Sequence, residues 1–174
     1  MKKHALMFFS VLLLAGCFDG PTNNDNDLID QSGKFTAKSL GCSNFQVYKP
    51  DSSQMEYLVV VSNGDSLGID TIMKEYDISE THHLSIRIDR YSNPSPDCLP
   101  YCNDVRCEND SIVKVYTARS GTAQLFRTQK VKGVTSDYYY INMRLENVRL
   151  NSGEEEIYLK EVDFDSVFVG WLPG

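Results

Sequence analysis

The chain has 174 residues, 41% of them hydrophobic, and a formal net charge of −7 from 24 acidic and 17 basic side chains. That length suits one domain with a packed apolar core. The acidic balance argues against a nucleic-acid partner, which needs concentrated positive charge, and no apolar run approaches the roughly 20 residues of a membrane-spanning helix.

Lys2 and Lys3 open the chain, followed by an apolar run from Ala5 to Leu14 and then by Leu14-Ala15-Gly16-Cys17. A run of about ten residues matches the apolar region of a secretory signal, and the small residues Ala15 and Gly16 suit a protease that needs unobstructed backbone at its cut. This segment resembles the signal peptide and lipobox of bacterial lipoproteins, a resemblance confined to residues 1–17. It implies that residues 1–16 are removed and that Cys17 becomes the first mature residue, with lipid on its sulfur and an acyl chain such as palmitate on its amino group. Each buried methylene contributes about 0.8 kcal/mol, so several chains on one residue anchor effectively permanently. The resemblance thus implies a cell-envelope lipoprotein in the periplasm. Phe18, not Asp, follows Cys17, which favours the outer membrane.

From Phe18 to Gly33 the composition is that of a tether: Gly20-Pro21 leads into Thr22-Asn23-Asn24-Asp25-Asn26-Asp27, with little to bury. Such a segment cannot offset its ordering entropy, and its flexible length would span roughly 20 Å. Asp25, Asp27 and Asp30 lack the Gly and distal Glu of an EF-hand loop, so a solvated spacer is expected. The domain proper is expected to run from Lys34 to Gly174.

With Cys17 set aside, Cys42, Cys98, Cys102 and Cys107 remain, an even number that in an exported chain predicts two disulfides. The spacing lacks the paired Cys arms of structural zinc, and no histidine lies near it, so no metal is expected. Four cysteines allow three connectivities. In all of them Cys42 joins the 98–107 cluster, which makes one bridge long-range. The Asn93–Asp110 segment, with its prolines and cysteines, reads as a loop stapled to the domain.

The domain pattern is β. Tyr57 to Val61 is apolar on both faces and predicts a central strand. Asp70 to Tyr76 could form a short helix. His83 to Asp89 alternates, with Leu84, Ile86 and Ile88 on one face and His83, Ser85, Arg87 and Asp89 on the other. Ile112 to Ala118 and Ala123 to Val131 flank Ser120-Gly121 and read as a hairpin. Tyr138 to Leu150 places Tyr139, Ile141, Met143 and Leu145 on one face. Its phase then slips toward Val148 and Leu150, which predicts a β-bulge near Glu146-Asn147. Asn151 to Gly153 reads as a turn. Val162 to Val169, with Phe164 and Phe168 opposite Val167 and Val169, reads as a second central strand. The expected fold is an all-β, antiparallel sandwich of seven to nine strands.

Gly64-Asp65-Ser66-Leu67-Gly68 fits the Gly-x-Ser-x-Gly nucleophile elbow and resembles the esterase family named for Gly-Asp-Ser-Leu, which would make Ser66 a nucleophile. That family places Asp-x-x-His near its C-terminus and has an α/β fold. Here the only histidines are His4, His82 and His83, none with an Asp three residues before it, and helix is nearly lacking. A hydroxyl without a positioned base is a poor nucleophile, so Asn63-Gly64 and its successors read as a turn. His82 and His83 point to opposite faces if extended and cannot easily share a ligand, and Glu154-Glu155-Glu156 reads as a solvated loop. Tyr138 and Tyr140 face away from Tyr139 and could meet a sugar ring or a protein partner, whereas Trp171 is expected to close the core. The expected function is a non-enzymatic, lipid-anchored binding or structural module for protein or glycan, without cofactor. The alternatives are a Ser66 hydrolase, or an enzyme inhibitor presenting the Asn93–Asp110 loop.

Overall fold

The structure, a computed structural model, describes residues 28–43, 45–62, 67, 69–80, 83–93, 100–102, 111–133, 137–153 and 155–170. Among the described residues eight strands are formed: β1 (Leu40–Cys42), β2 (Gln46–Pro50), β3 (Glu56–Ser62), β4 (Lys74–Asp77), β5 (Leu84–Tyr91), β6 (Ile112–Lys132), β7 (Asp137–Ser152) and β8 (Glu155–Val169). They make one antiparallel sheet in the order β1-β2-β3-β5-β6-β7-β8, and β4 pairs with the distal half of β6. The all-β class and strand number are as expected. The strands form one curled, hydrogen-bonded sheet, where the expected sandwich has two.

The curl brings the two ends of the sheet together. The Gly170 amide donates to the Ser43 carbonyl at 2.7 Å. Gly41 lies so near β8 that a Cβ there would sit 2.6 Å from the Phe168 carbonyl oxygen. Within the curl, Val47, Leu58, Ile88, Leu125, Leu145 and Phe164 belong to one buried apolar core. Alternation explains it: on β5 Leu84, Ile86 and Ile88 are buried, as their period of two predicts.

β3 is buried on both faces, as its sequence indicates. Leu58 and Val60 enter the main core, while Tyr57 and Val59 join a second cluster with Tyr48, Tyr91 and Tyr101 on the sheet's outer side. Cys42 and Cys102 are joined in a disulfide spanning 60 residues, which fixes the Tyr101 segment over that side. Of the three connectivities, this bridge is compatible only with the one that pairs Cys98 with Cys107; those two residues lie outside the described ones.

Four expectations are corrected. The hairpin at Ser120-Gly121 is instead one 21-residue strand, β6, that runs through Gly121 with its register against β7 shifted beside it. Gly121 has φ +121°, and an added Cβ would lie 2.8–2.9 Å from β7 backbone, so this glycine serves a close backbone approach, not a turn. The register of β6 against β7 shifts on either side of Ser120, and Asn147 takes φ +53°, which places a bulge where the phase slip put it. Residues 70–76 form no helix: Lys74–Asp77 is strand β4, because pairing with β6 supplies its backbone partners. Val162–Val169 is not apolar on both faces. Ser166 has φ +50° and the register slips between Ile141 and Met143. That slip turns Phe164, Val167 and Val169 inward together and leaves Phe168 outside. Finally, Asp89 is not on a solvated face but fully buried beneath Tyr101.

Asp30 to Ser32, placed in the tether by composition, lie against β8. Gln31 N–H donates to the Tyr158 carbonyl at 2.9 Å. Asp30 Oδ1 accepts from Lys160 N–H at 3.0 Å, and Ser32 Oγ from Glu161 N–H at 3.1 Å. A single 3-10 turn follows at Ser32–Lys34.

Candidate functional site: an aromatic and polar groove on β6–β8

Because Ile141, Met143 and Leu145 point into the core, the alternate residues Tyr138, Tyr140, Asn142 and Arg144 of β7 line the outer face. Phe168 joins them from β8 through the Ser166 slip. Its ring centroid lies 5.6 Å from that of Tyr138 and 5.0 Å from that of Tyr140, with the planes tilted by 50° and 44°. All three rings are half-buried. Tyr139 goes the other way, packing against the main core beneath the Arg127 guanidinium.

The same face continues into a groove of about 300 Å³ lined by Met73, Gln124, Phe126, Asn142, Arg144, Asp163 and Asp165, with Met143 at its floor. Several of its polar side chains are held by hydrogen bonds. Arg144 Nε donates to Asp163 Oδ1 at 2.8 Å, and a terminal nitrogen reaches Oδ2 at 3.4 Å. Glu161 and Glu146 stand 3.7 and 3.9 Å from the guanidinium. The Asp163 hydrogen bond and charge, with Glu161, hold the Arg144 pKa above its ordinary value. Asn142 Oδ1 accepts from Ser166 N–H at 2.8 Å and so braces the bulge that places Asp165 on the rim. Gln124 Nε2 donates to Glu75 Oε2 at 3.0 Å. Three carboxylates, those of Glu146, Glu161 and Asp163, surround one guanidinium, and Asp165 also lines the groove, so the groove stays net acidic with Lys49 behind it counted. Behind it, Lys49 reaches through the curl to donate to the Asp163 carbonyl; burial lowers its pKa, against the pull of Asp165 and Asp163.

The residues singled out from the sequence are distributed otherwise. Ser66, with Gly64 and Gly68, lies outside the described residues, as do His82, Glu154, Trp171 and Cys17. Glu155 is bound by Lys114 at 2.5 Å and accepts from Tyr116, and Glu156 faces Arg149 at 3.6 Å, so both serve ion pairs. Tyr138 and Tyr140 stand on the same outer face of β7 as the groove's Asn142 and Arg144, packed against Phe168. Sequence reasoning missed Gln124, Phe126, Asn142, Arg144 and Asp163. The parity that sends Ile141 and Met143 inward already puts Asn142 and Arg144 beside Tyr140, but which residues of β4, β6 and β8 face them depends on pairing.

No family model, no curated protein and no solved structure matches this chain.

Proposed function

We propose that this chain is a lipid-anchored cell-envelope protein, held in the outer membrane through Cys17, whose β domain binds a protein or glycan ligand along the β6–β8 face. The observation that carries the reading is that three half-buried aromatic rings stand on the same outer face of β7 and β8 as a groove whose polar side chains are held by hydrogen bonds. Aromatic rings give rigid contact area at low entropic cost, and a concave site with a few placed polar groups is the usual form of a binding site. The place where residues 30–32 join β8 supports it. The chain meets β8 at Tyr158, ten residues before Phe168 on that strand, a span of roughly 30 Å at about 3.3 Å per residue. The aromatic end therefore lies well away from the point where the tether joins the domain.

Two experiments test the two halves. Cys17→Ser should release the protein from the membrane fraction or block its processing; an unchanged membrane-bound mature band removes the anchor. Full-length protein in detergent should retain a component of separately prepared envelope polysaccharide or envelope protein, and Phe168→Ala should weaken that retention. Retention of neither, or retention indifferent to Phe168, removes the binding reading.

A further inference from the structure

We infer that the groove takes an uncharged saccharide chain, with sugar rings lying on Tyr138, Phe168 and Tyr140 and hydroxyls reaching Asn142, Arg144 and Gln124. The inference rests on the binding reading above and names its ligand class.

Three features select this occupant. The first is chemical duality over a short distance. A pyranose ring has an apolar C–H face and a rim of hydroxyls, each both donor and acceptor. The outer face of β7 and β8 carries tilted aromatic rings, and the amide, guanidinium and carboxylate groups of the groove begin two residues along β7 from Tyr140. Arg144 carries five N–H donors, more than Asp163 can accept, and Asn142 retains its amide nitrogen as a donor while its oxygen is held by Ser166 N–H. These groups are already held in place, so less conformational freedom is lost on binding.

The second feature is charge. Arg144 is outnumbered by Glu146, Glu161 and Asp163, with Asp165 on the rim and a chain net charge of −7. Phosphorylated, sulfated or carboxylated chains and acidic peptides are repelled. The third is size. The volume of about 300 Å³ stands at the lower end of small-ligand sites.

The test titrates the full-length protein in detergent with uncharged hexasaccharides of glucose and of N-acetylglucosamine, with an oligogalacturonate and with a lysine-rich peptide, by calorimetry at low and high salt. The expected result is saturable binding of an uncharged chain that changes little with salt. It should weaken by about tenfold or more in Phe168→Ala, the size of losing one well-formed contact. Gln124→Ala, a mild change on the surface, should also weaken it, which guards against a folding defect in the first variant. Failure of both uncharged chains to bind, binding indifferent to both substitutions, or salt-sensitive binding of the lysine peptide in their place overturns the inference. If a protein component of the envelope is retained in a Phe168-dependent way while no saccharide binds, the ligand class is wrong and the binding reading stands. If nothing binds in a Phe168-dependent way, both fall.

Discussion

The hydroxyl of Tyr101 donates a hydrogen bond to the carboxylate of Asp89, which is fully buried on the outer side of β5. Arg87 Nε closes the other side of that carboxylate at 3.0 and 2.8 Å. Tyr91 donates to the Tyr101 hydroxyl at 3.2 Å, and Tyr48 to the Tyr101 carbonyl at 3.4 Å. A carboxylate can be buried only if it is paired and hydrogen-bonded, so this polar cluster depends on Tyr101 staying in place. The neighbouring Cys102, bridged to Cys42, keeps it there.

Replacing Cys42 and Cys102 together with serine should therefore lower stability by about 4 kcal/mol, the chain-entropy value for a loop of this length. Urea unfolding of the oxidised wild type and the variant measures it. The exposure of Tyr48, Tyr57 and Tyr91 should rise in the variant, visible in second-derivative tyrosine absorbance. A loss below about 1 kcal/mol would mean that packing alone holds the segment.

Stability should fall on the alkaline side. Burial, then its hydrogen bond to Asp89, pushes the Tyr101 phenol far up, and burial followed by the charge of Tyr57 pushes Tyr48 up to about 12. In the unfolded chain these phenols ionise near 10. Above that pH the folded protein binds more protons than the unfolded one, so stability is complete below pH 10 and declines as pH rises through the folded values. Denaturation curves on either side of pH 10, with phenolate absorbance, check the sign. Tyr101→Phe removes one phenol and one donor to Asp89, and should cost about 1–3 kcal/mol near neutral pH while making the alkaline decline shallower. An unchanged slope would show that Tyr101 is not a principal titrating group.

The close approach of β7 to Gly121 gives a paired prediction. Gly121→Val places a Cβ 2.8 Å from Val148 Cα and 2.9 Å from two β7 carbonyl oxygens at φ +121°, and should cost at least about 2 kcal/mol. Gly153→Ala, at φ +68° with nothing within 4 Å, carries only the left-handed backbone cost of about 1 kcal/mol. Thermal unfolding of the two variants should separate them clearly. Equal losses would mean that β7 yields to the added side chain and that the close approach is not what requires glycine.

Period-two alternation made much of this protein legible before its fold was known. It gave the all-β class, the inward faces of β5 and β7, the double burial of β3 and the bulge at Asn147, because side-chain parity is a property of a single strand. Parity also placed Tyr138 and Tyr140 opposite Tyr139. Wherever a second strand decided the outcome, the linear reading stopped short. Gly121 has the composition of a turn, yet β7 passing beside it keeps β6 extended. Ser166 shifts the phase of β8, and only its partner Asn142 makes that visible. Asp89 alternates like a surface residue and is buried because a disulfide 60 residues long returns Tyr101 to it. The groove depends on the same cause: Asn142 and Arg144 are neighbours along one strand, but Gln124 and Asp163 reach them only through registers set by the curled sheet. Local chemistry determines which face a side chain takes, and long-range hydrogen bonding determines what it meets there.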